Sequence, residues 1–156
     1  MNISFYDVDA SYTDYLRDFD HKVPRIKYSN HDKFLCGVVL IVNDCSYYAP
    51  ISSFNKKQFT NLPIYHKGNA IGSIRFSYMF PCLNTVLTEK NFEMEADIKY
   101  RELLKNEWKF CNDNYAAIVS KAKYIYKRYM SGKDLKLISH CCNFPLLEQK
   151  MKEYLA

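Results

Sequence analysis

Residues 47–57, YYAPISSFNKK, bring two hydroxyls, Ser52 and Ser53, and two cations, Lys56 and Lys57, together just after Ala49-Pro50. Serine hydroxyls, backbone N–H groups and lysines at the end of a strand are the groups that surround a phosphate. Ser-Ser after Pro also fits an ordinary turn, so the stretch needs partners before it reads as a site. Lys33 supplies one. It opens the apolar run FLCGVVLIVN (34–43), and a hairpin turning near Asn43-Asp44 leaves 33–37 and 50–53 about equally far from the turn. Lys33, Ser52 and Ser53 are therefore expected at one open end of that hairpin, a candidate anion site.

Upstream, DHKVPRIKYSNHDK (20–33) has no sustained periodicity, although it carries Lys22, Arg25, Lys27, Tyr28 and His31. A long irregular segment in a compact domain usually serves a function. His31 and His66 are the usual residue types for acid–base work, but a lone loop histidine is more often a surface residue. The chain has no HExxH, no carboxylate cluster beside the histidines and no Walker-type glycine loop, and His140-Cys141-Cys142 lacks ligand spacing. A metal, a cofactor or nucleotide hydrolysis thus gains no support. RNA cleavage is compatible, because the 2′-OH is an internal nucleophile already near its phosphorus. The protein would hold the nucleotide in line, move the 2′ and 5′ protons and stabilise charge on the phosphoryl oxygens. A lysine moving a proton needs nearby cations to lower its pKa, and several are expected close to this one.

The elements that must position these groups follow from periodicity. A short strand over 3–8 leads to Ser11 as an N-cap and to a helix with Tyr12, Tyr15, Leu16 and Phe19 on one stripe, ending near Phe19. The run 34–43 reads as a buried strand, with Gly37 marking a bulge or a close approach. A second strand pair turns around Gly68-Asn69, and Ile74, Phe76, Tyr78 and Phe80 alternate along it. From 96 to 131 the period is helical, with Gly132 as C-cap; Asn143, with Pro145 just inside, opens a last helix. Strands first and helices later argue an α+β domain: a curled antiparallel sheet or small barrel carrying helices on one side. Within AAIVSKAKYIYKRYM (116–130), Ile118, Val119, Ala122, Ile125, Tyr126 and Tyr129 share one face, and Lys121, Lys123, Tyr124, Lys127 and Arg128 share the other. The second face should meet something acidic, or else is simply solvated.

The 156 residues suit one domain, 1–156, and the N-terminus shows no leader pattern and no run approaching ~18 apolar residues. Six cysteines without framework spacing suit reduced thiols in a cytoplasm. Net charge is +5; residues 1–95 hold ten basic and ten acidic side chains, so the excess lies beyond them. Basic charge with 14 tyrosines suits single-stranded nucleic acid, whereas duplex DNA reading has no helix-turn-helix pattern behind it.

Four segments in order, SYTDYLRDFDHKVP, FLCGVVLIVNDCSYYAPISS, IRFSYMFP and CNFPLLEQKMKEY, resemble the ToxN/AbiQ toxins of type III toxin–antitoxin systems across nearly the whole chain. The resemblance implies a MazF/Kid-like antiparallel β-barrel core with packed helices. It also implies metal-independent cleavage of single-stranded, A-rich RNA to 2′,3′-cyclic phosphate and 5′-OH ends, in phage defence or growth arrest. The implied partners are cellular or phage mRNA as substrate and a pseudoknotted small RNA antitoxin, processed from a repeat transcript and held in a closed protein–RNA assembly. No membrane or DNA partner is implied. By position the family's site falls on Ser52, Ser53, Lys33 and Tyr28, the last shifted by one. Phe54-Asn55 displaces the lysine that normally follows the serines, leaving Lys56 and Lys57 to compete for it. By charge rather than by motif, RNA contacts would draw on the loop (Lys22, Arg25, Lys27, His31), the basic helix face (Lys121, Lys123, Tyr124, Lys127, Arg128) and His66. The alternative is an RNA-binding protein that uses the same surface without cutting.

Overall fold

The computed structural model describes residues 2–27 and 31–154. At its centre are β2 (Leu35–Val42) and β3 (Cys45–Ser52), a hairpin closed by Asn43 and Asp44 at φ 52° and 61°. Two consecutive left-handed residues match the right-handed twist of the strands they join, and Asn and Asp tolerate that region best. β3 is buried along most of its length, whereas β2 is buried at its start and opens to solvent at Ile41 despite its near-continuous apolar run. Gly37 fulfils both expectations: the β2–β3 register shifts between Gly37 and Leu40, and a Cβ at Gly37 would run into the Tyr48 ring.

The sheet follows the order β4-β5-β3-β2-β1-β7, with β1 at Ser4–Val8, β4 at Asn61–His66, β5 at Asn69–Arg75 and β7 at Leu87–Glu89. All pairings are antiparallel, and β6 (Phe80–Pro81) adds to β3. The two ends of this path, β4 and β7, do not pair among the described residues, so the sheet is not a closed barrel. Pro50 occupies a gap in the ladder. On its outer side β3 pairs β6 through Tyr47 and Tyr48 and then β5 through Ile51 and Ser52, so a residue without N–H is tolerated between them.

Several local expectations are corrected by tertiary packing. Helix α1 (Ala10–Arg17) starts after Asp9, earlier than a Ser11 cap allows, because the Asp9 N–H is held by Val86 O at 2.9 Å. The strand expected to run through Phe80 stops at Arg75; residues 76–78 form a 3₁₀ turn that buries Phe76 and Ser77. The helical stretch divides at Asn114 into α2 (Ile98–Asp113) and α3 (Tyr115–Met130). Asn114 turns its side-chain amide back onto Phe110 O at 2.8 Å, competing with the helix for that carbonyl. A further short helix, α4 (Leu135–His140), adds to those expected from periodicity.

Other signals hold. Gly132 has φ 72° after α3, and the Asn143 side chain caps α5 (Phe144–Glu153) by accepting from Leu146 N at 3.2 Å. Ile118, Ala122, Ile125 and Tyr126 form the buried face of α3. Helix and hairpin are tied through the buried Glu148 of α5, which accepts from Tyr47 Oη at 2.5 Å, Tyr126 Oη at 2.8 Å and Asn43 Nδ2 at 3.0 Å. All six cysteines are free and buried. Among the described residues no helix is long and apolar enough to cross a membrane.

Candidate active site

The β2–β3 ladder sets the geometry. Leu35 faces Pro50 and Ile51 N donates to Phe34 O at 3.3 Å, so continuing the register by two residues puts Lys33 opposite Ser52. Lys33 N also donates to Ile26 O at 2.8 Å, fastening the irregular segment to the strand entrance. That segment is anchored by buried Val23 and Ile26, and the Arg17 guanidinium donates to His21 O and Val23 O.

Beyond Ser52 the chain makes a short turn. Ser52 Oγ accepts from Phe54 N at 3.1 Å, which uses a lone pair and leaves its hydroxyl hydrogen able to donate outward. The buried Ser73, paired with Ser52 across β3–β5, donates through Oγ to Phe54 O at 2.6 Å. The exposed Ser53 side chain makes no hydrogen bond among the described residues. The turn reading and the site reading of this stretch therefore coexist: the turn is what presents Ser53.

Two hollows meet at this rim. One, about 480 Å³, is basic, with Arg17, Lys22, Arg25 and Arg75 facing Lys33 and Ser52. The other, about 450 Å³, shares Lys33 and Ser52 and adds Ser53, His31, Tyr100 and Glu107. Burial and the nearby Arg75 charge both lower the pKa of Lys33, the condition a proton-moving lysine requires. Sequence reasoning misses Arg75, which reads there as one outward position of an alternating strand. Its guanidinium lies over the Phe54 ring at 4.6 Å and near the Tyr78 ring at 5.1 Å, and its buried Nε has no hydrogen-bond partner among the described residues. A guanidinium packed against rings in this way is a suitable anion ligand.

The remaining candidates divide. Lys56 and Lys57 line neither hollow. The buried Asn61 accounts for this: its amide donates to Lys56 O at 2.9 Å and accepts from Gln58 N at 2.8 Å, fixing the chain as it leaves the rim. Lys57 instead lies close enough to Lys121 to lower that lysine's pKa, after burial. Lys22 donates to Ser139 O and Cys141 O, and Lys27 pairs with Asp32 at 2.9 Å. His31 stacks on Tyr100 with ring centroids 3.6 Å apart and lies 3.6 Å from Asp97. Arg25 is exposed at the basic hollow, and His66 sits at the far end of β4. Tyr28 lies outside the described residues. On α3, Lys123 and Lys127 are exposed, while Lys121, Tyr124 and Arg128 gather around the exposed Phe59, and Arg128 also pairs with Asp134 at 2.6 Å.

Comparison with known proteins bears on the family and the fold. Residues 4–152 match the family described as Toxin ToxN, type III toxin-antitoxin system. The chain is 30% identical to Endoribonuclease ToxN of Bacillus thuringiensis subsp. kurstaki, covering 98% of this chain and 84% of that one. It is 27% identical to Endoribonuclease ToxN of Pectobacterium atrosepticum, covering 97% and 94%. A solved chain from work on selective toxin inhibition by a non-coding RNA pseudoknot superposes with a TM-score of 0.91 at 28% identity, over 99% of this chain and 98% of that one. With the match spanning all the elements that build the rim, the chain belongs to the ToxN family of type III toxin–antitoxin toxins.

Proposed function

We propose that this toxin is an endoribonuclease that binds the scissile phosphate at the rim where Lys33, Ser52, Ser53 and Arg75 converge. The observation that carries this reading is the convergence itself: Lys33 and Ser52 belong to both hollows, with Ser53 on one side and Arg75 on the other. It accords with the names of the relatives, which are endoribonucleases. A strand of RNA crossing the rim lays a phosphate between the two cations and the Ser53 hydroxyl. There the 2′ oxygen attacks phosphorus, its proton leaves, and the P–O5′ bond breaks as the 5′ oxygen gains a proton. The products are a 2′,3′-cyclic phosphate and a 5′-OH. Lys33 and Arg75 stabilise the charge on the phosphoryl oxygens, and Lys33 is also placed to exchange one of the two protons. Tyr28, on the same incoming segment, is proposed to position or stack on a base, and Lys56 or Lys57 to assist at the phosphate.

The same reading makes an RNA antitoxin the inhibitor, in keeping with the pseudoknot RNA of the related structure. Further parts of the proposal, from the family resemblance, are A-rich single-stranded targets, a closed assembly with the processed antitoxin, a MazF/Kid-like core built on the open sheet and action in the cytoplasm. Cleavage of single-stranded RNA in EDTA with identification of the new termini tests the chemistry. Cyclic phosphate and 5′-OH ends are expected, and Ser53→Ala should slow their appearance by roughly 10²–10³. Wild-type rates in Ser53→Ala would remove Ser53 from the site, and binding without new ends would leave a non-cutting RNA-binding protein.

A further inference from the structure

The two hollows that meet at the rim differ in charge. The basic one is lined by five permanent cations, Arg17, Lys22, Arg25, Lys33 and Arg75, and by no Asp or Glu among the described residues. The other shares Lys33 but also carries Asp32 and Glu107. The phosphoryl chemistry proposed above uses only Lys33 and Arg75, so Arg17, Lys22 and Arg25 are left over. Their partners show what each can still do.

The Arg17 guanidinium donates to His21 O and Val23 O, and Lys22 Nζ donates to Ser139 O and Cys141 O. These carbonyl groups hold the two side chains in place without cancelling their charge. Buried Asp20 accepts from Lys22 N at 3.0 Å and Asn143 N at 2.6 Å, one bond to each oxygen. Asp14 and Asp18 line a separate hollow with Arg17 and Arg25 and form no ion pair with either. Arg25 is exposed and makes no hydrogen bond or ion pair among the described residues. Its backbone is nonetheless fixed. Buried Val23 and Ile26 flank it, and Lys33 N donates to Ile26 O at 2.8 Å, so Arg25 stands one residue from the backbone bonded to Lys33. A guanidinium with its donors open is thus carried next to the scissile-phosphate site, in the hollow that lacks Asp32 and Glu107.

We propose that the basic hollow is a second phosphate subsite, in which Arg25 binds the phosphodiester one nucleotide from the scissile one while Arg17 and Lys22 add charge. This deepens the proposed function and rests on it. Once a phosphate occupies the shared rim, the strand continues on either side of it, and its next negative charge is favoured where the walls are cationic. A wall that carries carboxylates repels it. Arg25 suits a diester because its planar fork can bond both non-bridging oxygens at once. Binding energy gained there, away from the reacting atoms, serves to hold the cut linkage in line. The subsite reads charge and not bases, so it acts on a strand of any sequence.

The test uses a short single-stranded RNA whose cut has been mapped, remade with one uncharged methylphosphonate at the linkage on one or the other side of the cut. The sugar 5′ to each methylphosphonate is 2′-deoxyribose, so that no hydroxyl attacks it, and the reference strand carries the same deoxy sugar with an ordinary phosphate. Values of kcat/KM are compared for wild type and Arg25→Gln. Wild type should lose roughly tenfold or more on one of the two neutral linkages, the size expected of a charge-assisted contact. Arg25→Gln should be slower than wild type on the reference strand and lose only about twofold or less when that linkage is neutralised, because the partner is already gone. A loss as large in Arg25→Gln as in wild type overturns the proposal. So does wild type that loses nothing at either linkage, an outcome that needs no variant to fold. Wild type that fails to cut the unmodified RNA overturns the scissile-phosphate site as well.

Discussion

At the scale of single residues, the proposed site depends on how the Arg75 charge acts on Lys33. The Arg75 guanidinium packs against two aromatic rings and has no carboxylate partner among the described residues, and its charge acts on Lys33. The sign follows directly. A nearby cation disfavours protonated Lys33, so removing it must raise the Lys33 pKa. In Arg75→Gln the limb of the pH–rate profile that reports Lys33 should therefore move to higher pH. The maximal rate should also fall, by about 10²–10³, because one cation is removed from the phosphoryl oxygens. A profile that keeps its wild-type position while the rate falls would make Arg75 a binding group without influence on Lys33. Little of this is visible in the sequence. Lys33, Ser52 and Ser53 are legible because a hairpin with a recognisable turn fixes which residues end up side by side. Arg75 is not, because β5 reaches β3 through a pairing between distant segments, and nothing local to RFSY says that the strand stops there. Glu107 does leave a signal: Tyr100, Leu103, Leu104 and Cys111 make a helical stripe at i, i+3, i+4 and i+11, and Glu107 stands at i+7 within it. An acid inside an apolar stripe is a candidate for function, and only resolving α2 into its faces brings it out.

At the scale of elements, the rim is built where β3 and β5 lie closest. Gly72 is what permits that approach, since an added Cβ would meet the Ser52 carbonyl, which is main chain and has no rotamer to yield. Gly72→Ala should push the end of β3 away from β5, displacing Ser52 and Ser53 relative to Lys33. A destabilisation of about 1–3 kcal/mol is expected from overpacking. Cleavage should fall by far more than stability explains, because a displacement of about 1 Å at a reacting group can reduce the rate 10²-fold. Denaturant unfolding and single-turnover cleavage of the same variant separate the two effects; full activity in a folded Gly72→Ala protein would show that the rim tolerates displacement. The elements themselves are mostly legible where local chemistry decides: the Asn43-Asp44 turn, the Asn143 cap, Gly132 and the faces of α3. They are not legible where packing decides. The break at Asn114 rests on an amide competing for one carbonyl, and the α1 start rests on Val86, far away in sequence.

At the scale of the whole molecule, charge is distributed over two surfaces with different duties. The rim and its basic hollow hold Arg17, Arg25, Lys33 and Arg75 around the proposed phosphate site. The α3 face is separate. Lys121 and Arg128 lie over Phe59, Tyr124 packs against the same ring, and exposed Lys123 and Lys127 extend the patch. Its only ion pair among the described residues is Arg128 with Asp134, so most of its charge is uncompensated. An exposed aromatic ring held between cations suits stacking on, and charge pairing with, a longer RNA. Because a short substrate need only reach the rim, Lys123→Gln/Lys127→Gln should leave cleavage of short oligoribonucleotides near wild type. Binding of the RNA antitoxin should weaken instead, and the slope of log K against log salt should become shallower by roughly 0.7–0.9 for each phosphate that is no longer neutralised. The salt slope is the informative quantity, since a distorted protein binds less tightly without a systematic change in the counterions it releases. If the double variant binds antitoxin with an unchanged slope, α3 is a solvated face and the antitoxin is held at the rim and the basic hollow alone. An unchanged slope together with slower cleavage of short RNA would place these lysines on the substrate path.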